Sequence, residues 1–338
     1  MHTNKWMALL LALLLCLPGA ALGAYADFAL LEEEDVDFFH EQLEYLVDTI
    51  GVRHAYEPAA EEACDYLTEL CGQFGYTEEE ENLVLMPAEE TFWGTELGAW
   101  NVIATLPAKT ENAPIVVLCA HYDSVTAGAR DNASGTAAVL ALMQHFTLQG
   151  PFDNLELRFI YFTAEETGHQ GSLTYVSYLT EEERQRIIAV YNIDILVADI
   201  WEDDLALSLD TLGMRTQSGY VHGSSVAPAN NQASRAFIQA RQEQGGYDPD
   251  ELGLTYCNPR HLGDSDHQSF HLSGMDSVNV CFRGNVESNG HWPTLMHSPN
   301  DIIGDFEWDR SYQALDTLML AVEGLAQDPE YGGGIPAE

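Results

Sequence analysis

Residues 115–123 read Ile115-Val116-Val117-Leu118-Cys119-Ala120-His121-Tyr122-Asp123. The run from Ile115 to Cys119, entered from Pro114, is continuously apolar and rich in branched residues, as a strand buried on both faces has to be; just beyond it the chain turns polar. Such a strand belongs in the middle of a parallel sheet. Helical spacing follows over Ala133–Phe146, then a strand pattern over Leu157–Phe162, a largely helical stretch over Gly171–Ile188 and another strand over Ala189–Ile195. Strand and helix taking turns with short connections imply right-handed βαβ crossovers. The expected fold class is α/β, a mostly parallel mixed sheet flanked by helices on both faces.

Outward from this center, apolar positions recur at three and four over Val36–Ile50 and Ala59–Phe74, predicting two amphipathic helices with acidic outer faces. Short β-rich runs cover Asn82–Leu85 and Asn101–Leu106. Residues 201–262 are less regular, with one helix expected over Gln232–Gln244, before a strand at Ser277–Phe282 and a helix at Tyr312–Leu325. No repeat or linker divides the chain, so residues 25–330 read as one domain and 331–338 as a flexible tail.

Residues 1–24 carry one cation, Lys5, an apolar run from Trp6 to Leu17, then Pro18 and small residues. That layout predicts a signal peptide cleaved near Gly23 or Ala24 and a secreted or extracytoplasmic protein, with an uncleaved membrane anchor as the alternative. Cleavage removes Cys16 and leaves an odd number of the 6 cysteines. Cys64 and Cys71 fall two turns apart on a predicted helix, about 10 Å along its axis, too far to bond. Cys119 and Cys281 lie in apolar runs and read as core residues.

The chain of 338 residues holds 54 Asp+Glu against 13 Lys+Arg, a net charge of -41. With lysines only at Lys5 and Lys109 there is no basic footprint, so no nucleic-acid partner and no stable membrane partner are expected. Aromatic residues make up 10% of the chain and are spread along it, which favors a packed core over disorder. Most of the acidity reads as solvated surface.

A few carboxylates stand apart because in an open α/β sheet the crevice lies beyond the carboxyl ends of the strands. Those positions hold His121 and Asp123, then Asp131-Asn132-Ala133-Ser134-Gly135, Glu165-Glu166, Asp194, Ser265-Asp266-His267, and Met296-His297-Ser298-Pro299-Asn300-Asp301. Carboxylates 4 Å apart repel by about 4 kcal/mol per pair at an effective dielectric near 20, so such a group protonates or holds cations. Mixed imidazole nitrogens and carboxylate oxygens suit zinc, less well manganese or cobalt, and two imidazoles with three carboxylates fit two ions sharing a bridging carboxylate. Taken singly, His121 also reads as a hydrogen-bonded core histidine, Asp131 as a helix N-cap and Glu165-Glu166 as solvated loop charge. Asp194, in an otherwise apolar strand, is the hardest to explain without a partner.

In this order, HYD at 121–123, DNASG at 131–135, EETGHQGS at 165–172, NID at 192–194, SDHQSF at 265–270 and HSPND at 297–301 resemble peptidase family 28, the zinc-dependent aminopeptidase family whose relatives include glutamate carboxypeptidase and glutaminyl cyclase. The resemblance covers roughly residues 36–325 and implies a zinc-exopeptidase-like three-layer sandwich. It implies two zinc ions per chain, one on His121 and Asp194, the other on Glu166 and His297, with Asp131 bridging. Asp123 matches the position whose carboxylate orients His121, and Glu165 matches the general base. The implied substrates are peptides with free N-termini. Glutaminyl cyclization, dipeptidase or carboxypeptidase specificity, and a non-catalytic receptor-like module are the alternatives. One departure stands out: many members carry Tyr immediately before the last His ligand, where this chain has Met296. Tyr220, His291 and Arg283 are the candidate replacement donors. His169, where the family usually has an apolar residue, and His271 are read as bystanders.

Overall fold

The computed structural model describes residues 28–88, 99–210, 215–216, 219–220, 231–244, 255–256, 265–284 and 291–334. The predicted signal peptide lies outside them, and no helix among the described residues is long and apolar enough to cross a membrane. In chain order the elements are α1 (Glu33–Glu44) running into a wide π turn (Tyr45–Ile50), α2 (Pro58–Gln73), β1 (Leu83–Pro87), β2 (Trp100–Leu106), β3 (Ile115–His121), α3 (Ser134–Gln149), β4 (Glu156–Phe162), α4 (Gln170–Tyr178), α5 (Glu181–Arg186), β5 (Ile187–Ile193) and β6 (Leu205–Asp210). A two-residue hairpin, β7 (Arg215–Thr216) and β8 (Gly219–Tyr220), precedes α6 (Gln232–Glu243), β9 (Thr255–Tyr256), α7 (His267–Leu272), β10 (Ser277–Gly284) and α8 (Trp308–Gln327).

The main sheet has the order β1-β2-β4-β3-β5-β10-β6-β9. Its middle, β4-β3-β5-β10, is parallel, while β1, β2 and β6 pair antiparallel with their inner neighbors. The expected parallel core is therefore present, with antiparallel pairing toward both edges. Along β3 the side chains alternate between two cores. Val116, Leu118 and Ala120 join the larger one, beneath α1, α2, α3, α6 and α8; Ile115, Val117 and Cys119 join the smaller one, with Tyr175 and Val176 of α4 and Phe270 of α7. Both faces are covered, which is why β3 has no polar position before His121.

From β3 the chain reaches β4 through α3 on one face, then crosses back over β3 through α4 and α5 on the other to reach β5. The reversal opens a crevice at the carboxyl end of β3.

Several elements differ from the sequence reading. The stretch expected to be helical over Gly171–Ile188 breaks at Leu179, which is extended, and restarts at Thr180. Thr180 Oγ1 accepts from Glu183 N at 3.2 Å and Glu183 Oε2 accepts from Thr180 N at 3.0 Å, a capping box that forces a new helix; Ile187 and Ile188 already belong to β5. The first helix starts at Glu33 and ends in the π turn, where the Leu46 carbonyl accepts from Gly51 N at 3.0 Å and from Arg53 Nη1 at 2.9 Å. Strand β6 lies in the region read as irregular. Asp194 follows β5 rather than sitting inside it. Past α8, the Tyr331 carbonyl accepts from Gln232 Nε2 at 2.7 Å and Gly332 is buried against Arg235, while residues 335–338 lie outside the described residues. Cys64, Cys71, Cys119 and Cys281 are all buried.

The start of α3 lies against the end of β5. A Cβ at Gly135 would stand 2.1 Å from the Ile193 carbonyl oxygen and 2.3 Å from Asn132 Oδ1. Gly135→Ala should therefore cost about 1–3 kcal/mol of stability through backbone displacement. Thermal melting of the two proteins side by side checks this, and an unchanged melting temperature would refute it.

Candidate functional site

His121 ends β3 with its ring buried. Its carbonyl accepts from Thr136 Oγ1 at 2.8 Å and its Nδ1–H donates to the Asp123 carbonyl at 3.0 Å, leaving Nε2 to face the crevice. Nε2 lies 3.2 Å from Asp131 Oδ1, 3.5 Å from Asp194 Oδ1 and 4.0 Å from Glu165 Oε2. Across the crevice, His297 Nε2 lies 2.8 Å from Asp131 Oδ2 and 3.0 Å from Glu166 Oε2. Asp131 thus turns one oxygen to each imidazole. All six of these residues, scattered over the sequence, meet at the carboxyl ends of β3, β4 and β5.

Backbone amides and carbonyls fix the loops that carry them. The buried Asp123 carboxylate accepts from Glu165 N at 3.1 Å and Glu166 N at 3.2 Å, while its Oδ1 stands 3.6 Å from His121 Nδ1. The ring bonds to the Asp123 carbonyl, and the carboxylate, beside the same Nδ1, also holds the Glu165-Glu166 turn. Asn101 clamps both ends of that turn, accepting from Thr163 N at 3.1 Å and donating to the Gly171 carbonyl at 2.9 Å. Asp131 is no helix cap; the neighboring Asn132 takes that place, its Oδ1 accepting from Gly135 N at 2.9 Å and Ile195 N at 3.1 Å, while its Nδ2 donates to the Ile193 carbonyl at 2.9 Å. Ala164, Ile195 and His297 all have left-handed backbone, with φ of 56°, 66° and 56°. These non-glycine residues, each beside or among the convergent side chains, mark a strained center.

The charges perturb one another. Burial disfavors a charged His121, but the carboxylates of Glu165, Asp123, Asp131 and Asp194 outweigh it and push its pKa well above the ordinary histidine value. His297 is pushed up to about 10 by its hydrogen bonds to Asp131 and Glu166. Burial favors a neutral Asp131 too, yet His121 and His297 hold it well below the usual carboxylate range. Glu165 moves the other way: burial, then Asp266, Asp194 and Asp131, raise it well above the ordinary value against the pull of His121.

Three buried atoms here, His121 Nε2, Asp194 Oδ1 and Glu166 Oε1, have no hydrogen-bond partner. Leaving such atoms unsatisfied is costly, and bound cations would relieve that cost. His121, Glu165 and Asp194 each place a ligand atom within 4.8 Å of the others, and so do Asp131, Glu166 and His297. Nitrogen and oxygen donors in two such groups fit zinc.

A profile of Peptidase family M28 matches residues 101–322, well over half of the chain. The chain belongs to peptidase family M28. Aminopeptidase YwaD of Bacillus subtilis (strain 168) is 36% identical over 218 residues, which span 64% of this M28 chain and 42% of YwaD. The crystal structure of BSAP, a zinc aminopeptidase from Bacillus subtilis, matches with a TM-score of 0.55 at 31% identity over 68% of this chain and 50% of BSAP. Porphyromonas gingivalis glutaminyl cyclase shares the fold, with a TM-score of 0.65 at 17% identity over 88% of this chain and 99% of the cyclase. This M28 chain spans half or less of the length of the two Bacillus proteins.

Of the candidate replacements for the tyrosine absent at Met296, His291 is engaged by Asp204 at 2.9 Å and by the Trp292 carbonyl at 2.8 Å. Arg283 stacks on the Trp292 ring at 3.9 Å. The Tyr220 side chain lies outside the described residues. His169, read as a bystander, places its Nε2 3.2 Å from Glu165 Oε1. Arg130, which the sequence reading passed over, ties this M28 site together. Its guanidinium bonds Asp199 through Nε at 2.8 Å and Nη2 at 2.5 Å, and Asp301 through Nη1 at 3.0 Å. Arg130→Met strands two buried carboxylates and should cost about 3–5 kcal/mol. Urea denaturation reads that loss directly; a shift near zero would show the bracket to be dispensable.

Proposed function

We propose that the chain is an exported zinc aminopeptidase, removing residues from peptides with free N-termini. In this reading His121 and Asp194 hold one ion, Glu166 and His297 a second, and Asp131 both, with Glu165 as general base. The observation that carries it is the splitting of Asp131 between two imidazoles, at 3.2 Å and 2.8 Å, as a bridging carboxylate requires. Bound zinc supplies Lewis acidity, polarizing a carbonyl oxygen and lowering the pKa of water.

The residues of the chain do the rest. Glu165, nearly buried and raised in pKa, accepts a proton from the attacking water and returns one to the departing amine. Asp123 keeps Glu165 and Glu166 pointing apart by holding both of their amides. Carboxylate edges left over around the cleft bind the substrate's α-ammonium and so select chain ends. Export rests on the Lys5, Trp6–Leu17 and Pro18 pattern at the N-terminus.

Purified protein should contain about two zinc ions per chain and digest free but not acetylated peptides, losing activity to chelator. Glu165→Gln should retain metal and lose about 10²–10⁴-fold in turnover; a variant that remains fully active would remove Glu165 from the mechanism. Conversion of N-terminal glutamine peptides without residue release would instead favor the cyclase reading. Zinc affinity should also depend on pH. His297, pushed up to about 10, is protonated at neutral pH in the metal-free protein and must lose that proton to become a ligand. Affinity measured by chelator competition should therefore rise with pH through the neutral range, and a flat profile would contradict the assignment of His297.

A further inference from the structure

His169 sits where the chain has just turned back on itself. Gly168 N and His169 N donate to the Glu165 carbonyl at 2.8 and 2.9 Å, and Gln170 N to the Ala164 carbonyl at 3.0 Å. His169 holds a left-handed φ of 59° and opens α4. A non-glycine residue keeps this conformation at a cost of order 1 kcal/mol, and its persistence next to convergent functional side chains points to a role for the side chain. That side chain reaches Glu165: Nε2 to Oε1 is 3.2 Å, with both side chains largely buried.

The two oxygens of Glu165 therefore face different neighbors. Oε1 faces His169, and Oε2 faces His121 Nε2 at 4.0 Å. The terminal carboxylate torsion of a glutamate is broad and two-fold, so nothing in the side chain itself holds this orientation. Glu165 is also close enough to His121 and Asp194 for its oxygen to join them around a single ion. A general base in that position needs a restraint that keeps it from becoming a ligand.

We propose that His169 is a positioning residue that supplies this restraint: its Nε2–H holds Glu165 Oε1, leaving Oε2 free toward the center formed by His121 and Asp131. The inference rests on Glu165 being the base. It assigns a role to a histidine at a position where the sequence resemblance leads one to expect an apolar residue.

The test uses the full-length, zinc-loaded protein and a peptide with an unblocked N-terminus, comparing His169→Leu, His169→Gly, His169→Gln and Glu165→Gln. Leu and Gly both remove the donor, and Gly accepts the left-handed backbone without strain, so a folding defect in the Leu variant does not decide the result. Each should lower kcat about 10- to 100-fold, the scale of one lost hydrogen bond to a charged group, with KM nearly unchanged. In a chelator competition both should hold zinc at least as tightly as the unmodified protein. His169→Gln, which still offers an N–H near the same place, should recover most of kcat. Unmodified kcat in both Leu and Gly variants overturns the proposal, as does a Gln variant as impaired as they are, or zinc loss in proportion to lost turnover. If Glu165→Gln stays active, the general-base reading fails and takes this one with it; if Glu165→Gln is dead while the Leu and Gly variants are fully active, only the role of His169 fails.

Discussion

The Arg130 guanidinium lies buried between Asp199 and Asp301, with the ring of Phe306 4.7 Å from its charged carbon. Asp199 comes from the segment after β5 and Asp301 from the loop that carries His297, while Arg130 itself precedes Asp131. One cation thus joins three loops that also share backbone hydrogen bonds, from Ala129 N to the Asp301 carbonyl at 3.2 Å, from Ile200 N to the Asp305 carbonyl at 3.1 Å and from Glu307 N to the Ala198 carbonyl at 2.8 Å. Asp301 adds to the joint by accepting Arg130 N at 2.8 Å and Asp131 N at 3.4 Å. The planar fork of arginine suits this work better than a lysine ammonium, because its donors address two carboxylates in fixed directions. Separate the loops and Asp131 no longer faces His297.

Around this joint the backbone is shaped by side chains more than by regular hydrogen bonding. Asn132 stitches α3 to the end of β5, Asn101 clamps the turn bearing Glu165, and Asp123 gathers two amides of that turn. Arg53 performs the corresponding task behind the crevice, donating to the carbonyls of Leu46, Tyr122 and Ala127. Each of these buried polar groups takes backbone amides or carbonyls as partners. The left-handed Ala164 and Ile195 sit beside residues this network holds, next to Glu165 and Asp194, whose carboxylates are buried.

What the sequence discloses follows from how local each signal is. His121, Glu165, Glu166 and Asp194 are legible because each comes directly after an apolar run, and the strand that carries it predicts its location. Asp131 is legible as a type but not as a role, since a cap and a bridging carboxylate look alike until Asn132 is seen to take the capping work. The Thr180–Glu183 capping box is present in the sequence, but helical spacing continues across it and hides the break. Arg130 and Asp301 are 171 positions apart, and no periodicity links them. The contact of His169 with Glu165 is hidden for the opposite reason: the two are only four residues apart, but the contact forms across a left-handed turn, where helical spacing rules do not apply.

The distribution of positive charge completes this picture. The chain has 13 Lys+Arg residues, and among the described residues Arg53, Arg130 and Arg283 are the three largest fully buried side chains. Cations placed behind and beside the carboxylate center stabilize its loops but do nothing to offset the acidic exterior. Burial lowers the Arg53 pKa to about 10 despite Asp123, Asp301 and Asp131 nearby, so the group stays charged at neutral pH while spending its donors on carbonyls. The carboxylates in front keep their capacity for cations. A cleft lined by one sign of charge concentrates field at its mouth. Under the proposed function the end of a peptide that carries an ammonium is the end drawn in, and the same electrostatics that makes the metal-free center costly makes the free N-terminus the preferred ligand.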